Sequence, residues 1–278
     1  MDGAAMAREV LAELQQRSVD LARQGRQPGL AVLLVGDDPA SAVYVRSKSR
    51  ACRDSGVETF DTRLPSTTTE QELLGHIDRL NSDPRVHGIL VQLPLPAHMN
   101  ATRIMQHIDP CKDVDGFNWR NLGALLDGNP LLAPCTPSGV MVMLERARVP
   151  IAGRHAVVIG RSSIVGKPAA LMLLERNATV TICHSRTADL AVYTRQADIL
   201  VCAIGKPRMV TADMVKPGAA VIDVGINRLP DGKLCGDADF EAMRGIAGWI
   251  TPVPGGVGPM TVAMVIANVI TAAERSIG

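Results

Sequence analysis

Hydrophobic residues follow two alternating periodicities along the first 110 residues of the chain. Residues 4–24 repeat apolar side chains at helical spacing from Met6 to Leu21, which predicts a helix. Residues 30–35 are apolar throughout, as expected of a strand that is buried on both faces. Further helices are predicted at 40–54, after the capping-box sequence Thr67-Thr68-Thr69-Glu70 and at 100–107, and further strands at 57–63 and 88–93. This alternation predicts a mostly parallel sheet with helices on both faces.

A second alternating series begins at His155. It predicts strands at 156–159, 178–183, 199–203 and 219–224, a helix at 164–175 and a last helix at about 260–275. Residues 109–137 are rich in proline and loop signals, and we interpret them as the passage between domains. Thr136-Pro137 predicts an N-cap and first position of a helix that runs to about Arg146. The 278 residues are therefore expected to form an α/β protein of two domains, each of about 100–150 residues.

The charge balance and the cysteines narrow the class of protein. The chain has 29 Lys and Arg against 28 Asp and Glu, so neither nucleic acid nor an anionic membrane surface is an expected partner. Its six cysteines form no C-x-x-C pair, so we expect no metal site and no disulfide framework. Free thiols, the lack of an apolar signal segment at the N-terminus and the lack of an uninterrupted apolar run of about 18 residues predict a cytoplasmic protein without a membrane span.

A glycine-containing turn follows the first strand of the second series. Gly160-Arg161-Ser162-Ser163-Ile164-Val165-Gly166 comes directly after a predicted strand and opens a predicted helix, the position at which a dinucleotide pyrophosphate binds. Ser162 stands where the second glycine of the usual G-x-G-x-x-G pattern would be. An ordinary tight turn between a strand and a helix is an equally good interpretation of this segment alone.

The end of the next strand favours NADP over NAD. An NAD site usually carries an acidic residue about 20 residues after the glycines, to bind the ribose 2′-hydroxyl. The chain instead reads Cys183-His184-Ser185-Arg186 there, and Arg161 lies in the preceding turn. Arginine and hydroxyl side chains suit a 2′-phosphate, although an exposed basic turn would have the same sequence.

The first series carries three candidate polar motifs. Tyr44-x-x-x-Lys48 places a ring and an ammonium on one face of a predicted helix, Gln92 ends a buried strand, and Lys112-Asp113-Val114-Asp115-Gly116-Phe117 is a turn with two carboxylates. Each also has a structural explanation: a solvated lysine, an amide that caps a loop, and an Asx turn. The loop Gly255-Gly256-Val257-Gly258-Pro259-Met260-Thr261 before the last helix could be a flexible connection or could hold backbone against a flat ligand.

Taken together, these motifs resemble those of the bifunctional methylenetetrahydrofolate dehydrogenase/methenyltetrahydrofolate cyclohydrolase family. The resemblance spans nearly the whole chain with the motifs in the family's order. It rests on Tyr44-x-x-x-Lys48, Val91-Gln92-Leu93-Pro94-Leu95-Pro96, Lys112-Asp113-Val114-Asp115-Gly116-Phe117, Pro134-Cys135-Thr136-Pro137, Gly160-Arg161-Ser162-x-x-Val165-Gly166-x-Pro168, Val221-Ile222-Asp223-Val224-Gly225-Ile226-Asn227 and Thr251 to Thr261.

The resemblance implies a fold and an activity. It implies a folate-binding α/β domain at 1–135, completed by the C-terminal helix at 259–278, a Rossmann-like NADP-binding domain at 136–258, a cleft between them and a homodimer. The implied reactions oxidise 5,10-methylenetetrahydrofolate with NADP and hydrolyse the methenyl product to 10-formyltetrahydrofolate. Hydride transfer needs alignment more than a base, whereas hydrolysis needs proton transfer, which a lysine could supply.

The resemblance also implies roles for individual residues. Lys48 would be the proton-transferring residue, positioned by Gln92, while Tyr44 would stack on the folate and Asp115 would bind the pterin amino edge. The remaining implied contacts are with folate at Pro254, Gly255, Gly258 and Thr261, and with NADP at Gly160, Arg161, Ser162, Ser185, Arg186 and Ile226. The chain departs from the family after Phe117, where Asn118-Trp119 replaces His-Pro, and Trp119 could reshape the passage between domains.

Three other functions remain open at this point. The chain could be a dehydrogenase without the hydrolytic step, which Lys48 and Gln92 argue against. It could be a dehydrogenase of another small hydroxy or amino acid on the same plan, or an NADP-binding regulator without catalysis. Assays of methenyl hydrolysis, of those acids, and of cofactor binding without folate turnover would separate them.

Overall fold

The computed structural model describes residues 1–276, with the side chains of positions 39, 40 and 42–44 outside the description. The chain divides into two compact units. We call Glu9–Cys135 with Val262–Gly278 the N-terminal unit, and Thr136–Thr261 with Met1–Arg8 the C-terminal unit. In chain order the elements are α1 Gly3–Arg23, β1 Gly29–Val35, α2 Pro39–Asp54, β2 Glu58–Leu64, α3 Glu70–Ser82, β3 Gly88–Val91, α4 Ala101–His107, α5 Trp119–Leu126, α6 Cys135–Arg146, β4 His155–Ile159, α7 Gly166–Glu175, β5 Thr179–Cys183, α8 Leu190–Thr194, β6 Ile199–Cys202, a 3₁₀ turn Ala212–Met214, β7 Ala220–Asp223, β8 Asn227–Arg228, β9 Leu234–Cys235, α9 Phe240–Met243, β10 Trp249–Ile250 and α10 Val257–Arg275.

The N-terminal unit is built on a parallel sheet in the order β2-β1-β3. All seven residues of the central strand β1 are buried, because it has neighbours on both edges and apolar side chains on both faces. Each valine or leucine buried in this way contributes about 1.5–3 kcal/mol relative to an exposed position. The fold confirms the parallel α/β class that the hydrophobic alternation predicted.

Three details of the N-terminal unit differ from the sequence prediction. The capping box at the start of α3 is formed by Thr69 and Glu72 rather than by Thr67 and Glu70, since the Glu72 N–H donates to Thr69 Oγ1 and the Glu72 carboxylate accepts from the Thr69 N–H. β3 ends at Val91, so Gln92 follows the strand. Residues 109–137, predicted as loop, contain α5, whose N-cap is Asn118 and whose buried side chains include Leu125. The prolines around this short helix obscured it.

The C-terminal unit holds a second parallel sheet, in the order β10-β7-β6-β4-β5. β4, β6 and β7 are buried nearly throughout, and their carboxyl ends lie in register at one edge of the sheet. The antiparallel pair β8 and β9 follows β7 directly. This pair, α8, α9 and the two-residue edge strand β10 were not predicted, because elements of two to five residues carry too little periodicity to detect. The helix expected to begin with Thr136 as N-cap already includes Cys135 and Thr136.

The last helix, α10, is long and apolar enough to cross a membrane by length and composition, with a mean hydropathy of 1.5 over its most apolar window. Of that window, 56% is buried inside the protein. Met260, Ala263, Val269 and Ile270 are each fully buried. Its apolar character is therefore that of a helix packed into a protein core.

Candidate active site

Lys48 and Gln92 meet at the carboxyl end of the sheet in the N-terminal unit. Lys48 lies on α2, and the Gln92 N–H donates to the Leu33 carbonyl oxygen (2.9 Å) just beyond β3. Lys48 Nζ donates to Gln92 Oε1 (3.2 Å), and Gln92 Nε2 donates to the Leu93 carbonyl oxygen (2.7 Å). The second bond turns the amide so that its oxygen faces the ammonium. The arrangement holds a half-buried lysine in one position, as proton-transfer chemistry requires.

Asp115 lies close enough to Lys48 for the two charges to interact. Burial raises the pKa of Asp115 from 3.8 to about 6; the nearby Lys48 ammonium opposes this rise, and the Asp113 carboxylate adds to it. The turn that carries Asp115 ends at Gly116, which has φ +75°. A Cβ at Gly116 would lie 2.5 Å from the Pro134 backbone nitrogen, so only glycine lets this turn pass against residues 133–134.

Asp113 fixes the same turn through hydrogen bonds to the start of α5. Its Oδ2 accepts from the Asn118 N–H (2.7 Å) and from Asn121 Nδ2 (3.0 Å), while its Oδ1 is buried without a partner. Burial raises the pKa of Asp113, against the effect of these hydrogen bonds. Asp113 therefore has a structural role, because it fixes the turn to α5. Asp115 is the carboxylate that lies near Lys48. Trp119 is the first residue of α5, and 66% of its surface is exposed.

Two residues beside this turn were given no role in the sequence analysis. Cys135 is buried and donates to the Val114 carbonyl oxygen (3.0 Å); burial and then the Asp115 charge raise the pKa of its thiol well above 9. Asn268 on α10 donates to the carbonyl oxygens of Val114 (2.8 Å) and Ala133 (2.9 Å). An asparagine inside an otherwise apolar helix face was the available signal, because a half-buried amide among apolar side chains needs partners.

The side chain of Tyr44 lies outside the described residues, so its predicted contact with folate stays a prediction. Apart from Asp115, the other predicted folate contacts are in the C-terminal unit. The Gly255 carbonyl oxygen accepts from the Ala4 N–H (3.0 Å), and Thr261 Oγ1 lies 3.0 Å from Thr136 Oγ1. A Cβ at Gly3 would lie 1.9 Å from the Gly256 oxygen. The loop that includes Pro254 and leads to Gly258 is therefore braced by residues near the N-terminus and is not a loose connection.

The turn after β4 forms a glycine cradle. Gly160 has φ +129°, and a Cβ there would lie 2.2 Å from the Ala203 oxygen; a Cβ at Gly166 would lie 2.3 Å from the Gly160 oxygen. Ser162 Oγ accepts from the Val165 and Gly166 N–H groups (3.2 Å each), at the first turn of α7. Arg161 and Ser162 are exposed. Close backbone packing with exposed polar groups at a helix N-terminus suits a pyrophosphate.

The turn after β5 leaves the sheet beside this cradle. β4 and β5 are parallel neighbours whose last residues, Ile159 and Cys183, lie opposite each other. Both turns therefore lie at the carboxyl ends of the strands. The Arg186 N–H donates to His184 Nδ1 (3.1 Å), and both Ser185 and Arg186 are exposed. Residues 160–166 and 184–188 carry no carboxylate, and Asp189 at the end of the second turn caps α8 by accepting from the Ala191 N–H (3.1 Å). Ile226 follows β7 at the same edge and is 47% exposed.

Comparisons with known proteins agree with this geometry. A family model described as tetrahydrofolate dehydrogenase/cyclohydrolase, catalytic domain, matches residues 1–115, and one described as the NAD(P)-binding domain of the same enzymes matches residues 134–277. The bifunctional protein FolD of Burkholderia pseudomallei (strain 1106a) is 59% identical over 276 residues, which are 99% of this chain and 97% of that protein.

Solved structures give the same result. The bifunctional FolD methylenetetrahydrofolate dehydrogenase/cyclohydrolase of Campylobacter jejuni has a TM-score of 0.97 and 47% identity, covering 99% of this chain and 98% of the other. The Trypanosoma brucei methylenetetrahydrofolate dehydrogenase-cyclohydrolase, solved with NADP cofactor and an inhibitor, has a TM-score of 0.95 and 40% identity, covering 100% and 97%.

Proposed function

The chain belongs to the tetrahydrofolate dehydrogenase/cyclohydrolase family, and we propose that Lys48, Gln92 and Asp115 form the centre at which it carries out the family's two reactions. It oxidises 5,10-methylenetetrahydrofolate to 5,10-methenyltetrahydrofolate with NADP⁺, and it hydrolyses that product to 10-formyltetrahydrofolate. The observation that carries the residue assignment is the hydrogen bond of 3.2 Å between Lys48 Nζ and Gln92 Oε1.

In the hydrolytic step, water adds to the positively charged bridge carbon and the bond from that carbon to N5 breaks. One proton of the water is transferred to N5, and the other is released. Lys48 is the group we assign to this transfer, since its Nζ is held by Gln92 and can pass a proton between the water and N5. Gln92 is a positioning residue, because its amide is itself fixed by the Leu93 carbonyl oxygen.

Folate is held by several of the same residues. Asp115 accepts hydrogen bonds from the amino edge of the pterin, a contact that a carboxylate with a pKa of about 6 makes in its ionised form near neutral pH. Tyr44 stacks on the aromatic part of the substrate. We assign further folate contacts in the C-terminal unit to Pro254, Gly255, Gly258 and Thr261.

NADP⁺ fits the cradle after β4 and the turn after β5. When bound, it supplies the hydride acceptor of the oxidation. Gly160 and Ser162 would hold the pyrophosphate. The turn can pack against the Ala203 oxygen because Gly160 has no Cβ, and this close packing is typical of a pyrophosphate-binding turn. Arg161, Ser185 and Arg186 would bind the 2′-phosphate, since they offer exposed guanidinium and hydroxyl groups at neighbouring turns. Ile226 would contact the cofactor through its exposed apolar side chain.

We propose the domain division at 1–135 with 259–278 and at 136–258, a homodimer and a cytoplasmic enzyme. The two compact units support this division at 135/136 and near 259, whereas residues 1–8 group with the C-terminal unit. Light scattering coupled to size-exclusion chromatography would test the dimer.

The first experiment measures both activities of the purified protein. NADPH formation is followed with 5,10-methylenetetrahydrofolate and either NADP⁺ or NAD⁺, and hydrolysis is followed as loss of the methenyl absorbance. We expect both reactions, with NAD⁺ the much poorer acceptor. Turnover of methenyltetrahydrofolate that Lys48→Met leaves unchanged would contradict the residue assignment.

A further inference from the structure

Two buried carboxylates lie behind the edge of the C-terminal sheet. Asp223 is the last residue of β7, and Asp237 lies just after β9. They are 2% and 0% exposed. A buried carboxylate is costly unless hydrogen bonds compensate it. The donors that bind Asp223 and Asp237 therefore show which parts of the chain these two side chains hold in place.

The Asp237 carboxylate accepts hydrogen bonds from the backbone of the loop after β6. Its Oδ2 accepts from the N–H groups of Ile204 (2.6 Å) and Gly205 (3.0 Å), and its Oδ1 accepts from the N–H of Lys206 (2.8 Å) and from Asn227 Nδ2 (2.9 Å). Three consecutive N–H groups after β6 and one side chain after β7 therefore share one carboxylate. These charge-assisted bonds fix the two loops relative to each other.

Asp223 links this carboxylate to the sheet. Its Oδ1 accepts from the N–H groups of Gly225 (3.0 Å) and Asp237 (3.0 Å), and its Oδ2 accepts from the Ala238 N–H (2.8 Å). A Cβ at Gly236 would lie 1.9 Å from Asp223 Oδ2, and a Cβ at Gly225 would lie 2.3 Å from Asp237 Oδ1. Glycines at both positions let the backbone reach the carboxylates.

The two loops lie at the edge assigned to the cofactor. Ile159, Cys202 and Asp223 are in register at the ends of β4, β6 and β7. The loop after β7 carries Ile226, whose side chain comes within 3.8 Å of a Cβ placed on Gly258. Any displacement of residues 224–227 therefore moves an apolar side chain that we assign to the cofactor.

We propose that Asp237, supported by Asp223, is a positioning residue that fixes the loops at 203–206 and 224–227 in the conformation that binds NADP. This inference rests on the cofactor site assigned in the proposed function. It predicts a selective defect: cofactor binding and oxidation should suffer, whereas methenyl hydrolysis, assigned to Lys48 in the other unit, should not.

The test replaces Asp237 with asparagine in the full chain. Asparagine keeps the shape but offers one acceptor oxygen, so at least one pair of donors loses its partner. We expect the calorimetric Kd for NADP⁺ and the KM for NADP⁺ to rise about tenfold or more, with hydrolysis measured without cofactor staying within about twofold. Amide exchange at Ile204, Gly205 and Lys206 should become faster. Asp231→Asn, at the tip between β8 and β9, is the matched control and should change none of these values.

Three results would overturn the inference. Equal losses of hydrolysis and oxidation in Asp237→Asn would make the residue a general structural one, and an unchanged Kd would remove its effect on the cofactor. If Asp237→Asn does not fold, Asn227→Ala removes a single donor and should still raise the Kd for NADP⁺; an unchanged Kd there would also count against the inference. The variant Arg161→Ala/Arg186→Ala separates the two proposals: if it does not weaken NADP⁺ binding, the assigned cofactor site is wrong, and if it does while Asp237→Asn does not, only the positioning role fails.

Discussion

Lys48 Nζ and Gln92 Oε1 are joined by a hydrogen bond of 3.2 Å that connects the middle of α2 to the end of β3. The two residues are 44 positions apart in the chain, so the contact depends on the parallel packing of the N-terminal sheet and its helices. A lysine that would otherwise sample many rotamers is held in place by the neutral amide oxygen of Gln92.

Replacing Lys48 with methionine should separate the two activities. Methionine keeps an unbranched apolar side chain but cannot transfer a proton, and general acid–base groups contribute about 10²–10⁴-fold to such steps. We expect loss of methenyl hydrolysis by about this factor, with oxidation reduced by about tenfold or less because hydride transfer depends on alignment. Both rates are measured by absorbance on the same preparation.

A matched control is available on the same helix. Arg50 is exposed and makes a long ion pair of 3.7 Å with Asp54. Arg50→Met removes a cation from α2 without touching Gln92 and should leave both rates unchanged. Equal loss of the two activities in Lys48→Met would show that the lysine has a structural or binding role.

The pH dependence of stability should change when Asp115 becomes asparagine. The pKa of Asp115 is about 6 in the folded protein against 3.8 for the free group, so the folded state holds the proton more tightly. The free energy of unfolding contributed by this group is therefore highest below the lower value and falls as pH rises from 3.8 to about 6. Asp115→Asn removes that fall.

The measurement is the melting temperature of both proteins across that range. The difference in Tm, variant minus wild type, should increase as pH rises through the window and then level off. A difference that is flat with pH would mean that Asp115 is not desolvated by its surroundings.

The sequence was sufficient for the parts of the fold that repeat over many residues. The alternation of apolar runs predicted the parallel sheets. The local motifs singled out Lys48, Gln92 and Asp115 as candidates, and the resemblance gave them roles. The short elements α5, β8 and β9 were not predicted, because they depend on tertiary hydrogen bonds and show no periodicity of apolar residues. Asp113 shows this well: its side chain holds the first turn of α5 (2.7 Å to the Asn118 N–H), a contact between residues that no propensity encodes.

The residues behind the candidate sites were equally hard to predict. Asn268 reaches the Val114 carbonyl oxygen from 154 positions away, and Asp237 reaches the Ile204 N–H across 33 positions. Side chains of this kind have ordinary sequence neighbours, and only the folded chain shows that they satisfy buried backbone groups.

Removing the two arginines of the cofactor turns should reduce the preference for NADP⁺. Arg161→Ala/Arg186→Ala takes both guanidinium groups from the exposed turns after β4 and β5, and each lost charge-assisted hydrogen bond weakens binding of a 2′-phosphate. We expect the KM for NADP⁺ to rise about tenfold or more, with the KM for NAD⁺ nearly unchanged. Arg154→Ala is the control and should preserve both KM values. Arg154 directly precedes β4, so it lies at the amino ends of the parallel strands, away from the two cofactor turns at their carboxyl ends. A parallel rise in both KM values would point to the pyrophosphate cradle instead of the 2′-phosphate.

Adding a single methyl group at Gly116 should damage the folate centre and spare the cofactor site. Gly116 has φ +75°, and its Cβ would lie 2.5 Å from the Pro134 nitrogen and 2.6 Å from the Ala133 carbonyl carbon, which are backbone atoms that cannot move aside cheaply. Alanine therefore has to displace the turn that carries Asp115. We expect Gly116→Ala to lose stability by about 1–3 kcal/mol and methenyl hydrolysis by about tenfold or more.

The comparison variant is Gly123→Ala, in α5. A Cβ at Gly123 would meet no atom within 4 Å, so alanine there should stabilise the protein by about 0.5–1 kcal/mol through its better helix propensity. Denaturant unfolding gives the stability of both variants, and calorimetry gives their Kd for NADP⁺, which should match that of the wild type. If Gly116→Ala hydrolysed methenyltetrahydrofolate normally, the position of Asp115 would not matter for the reaction, and its assigned contact with the pterin would have to be given up.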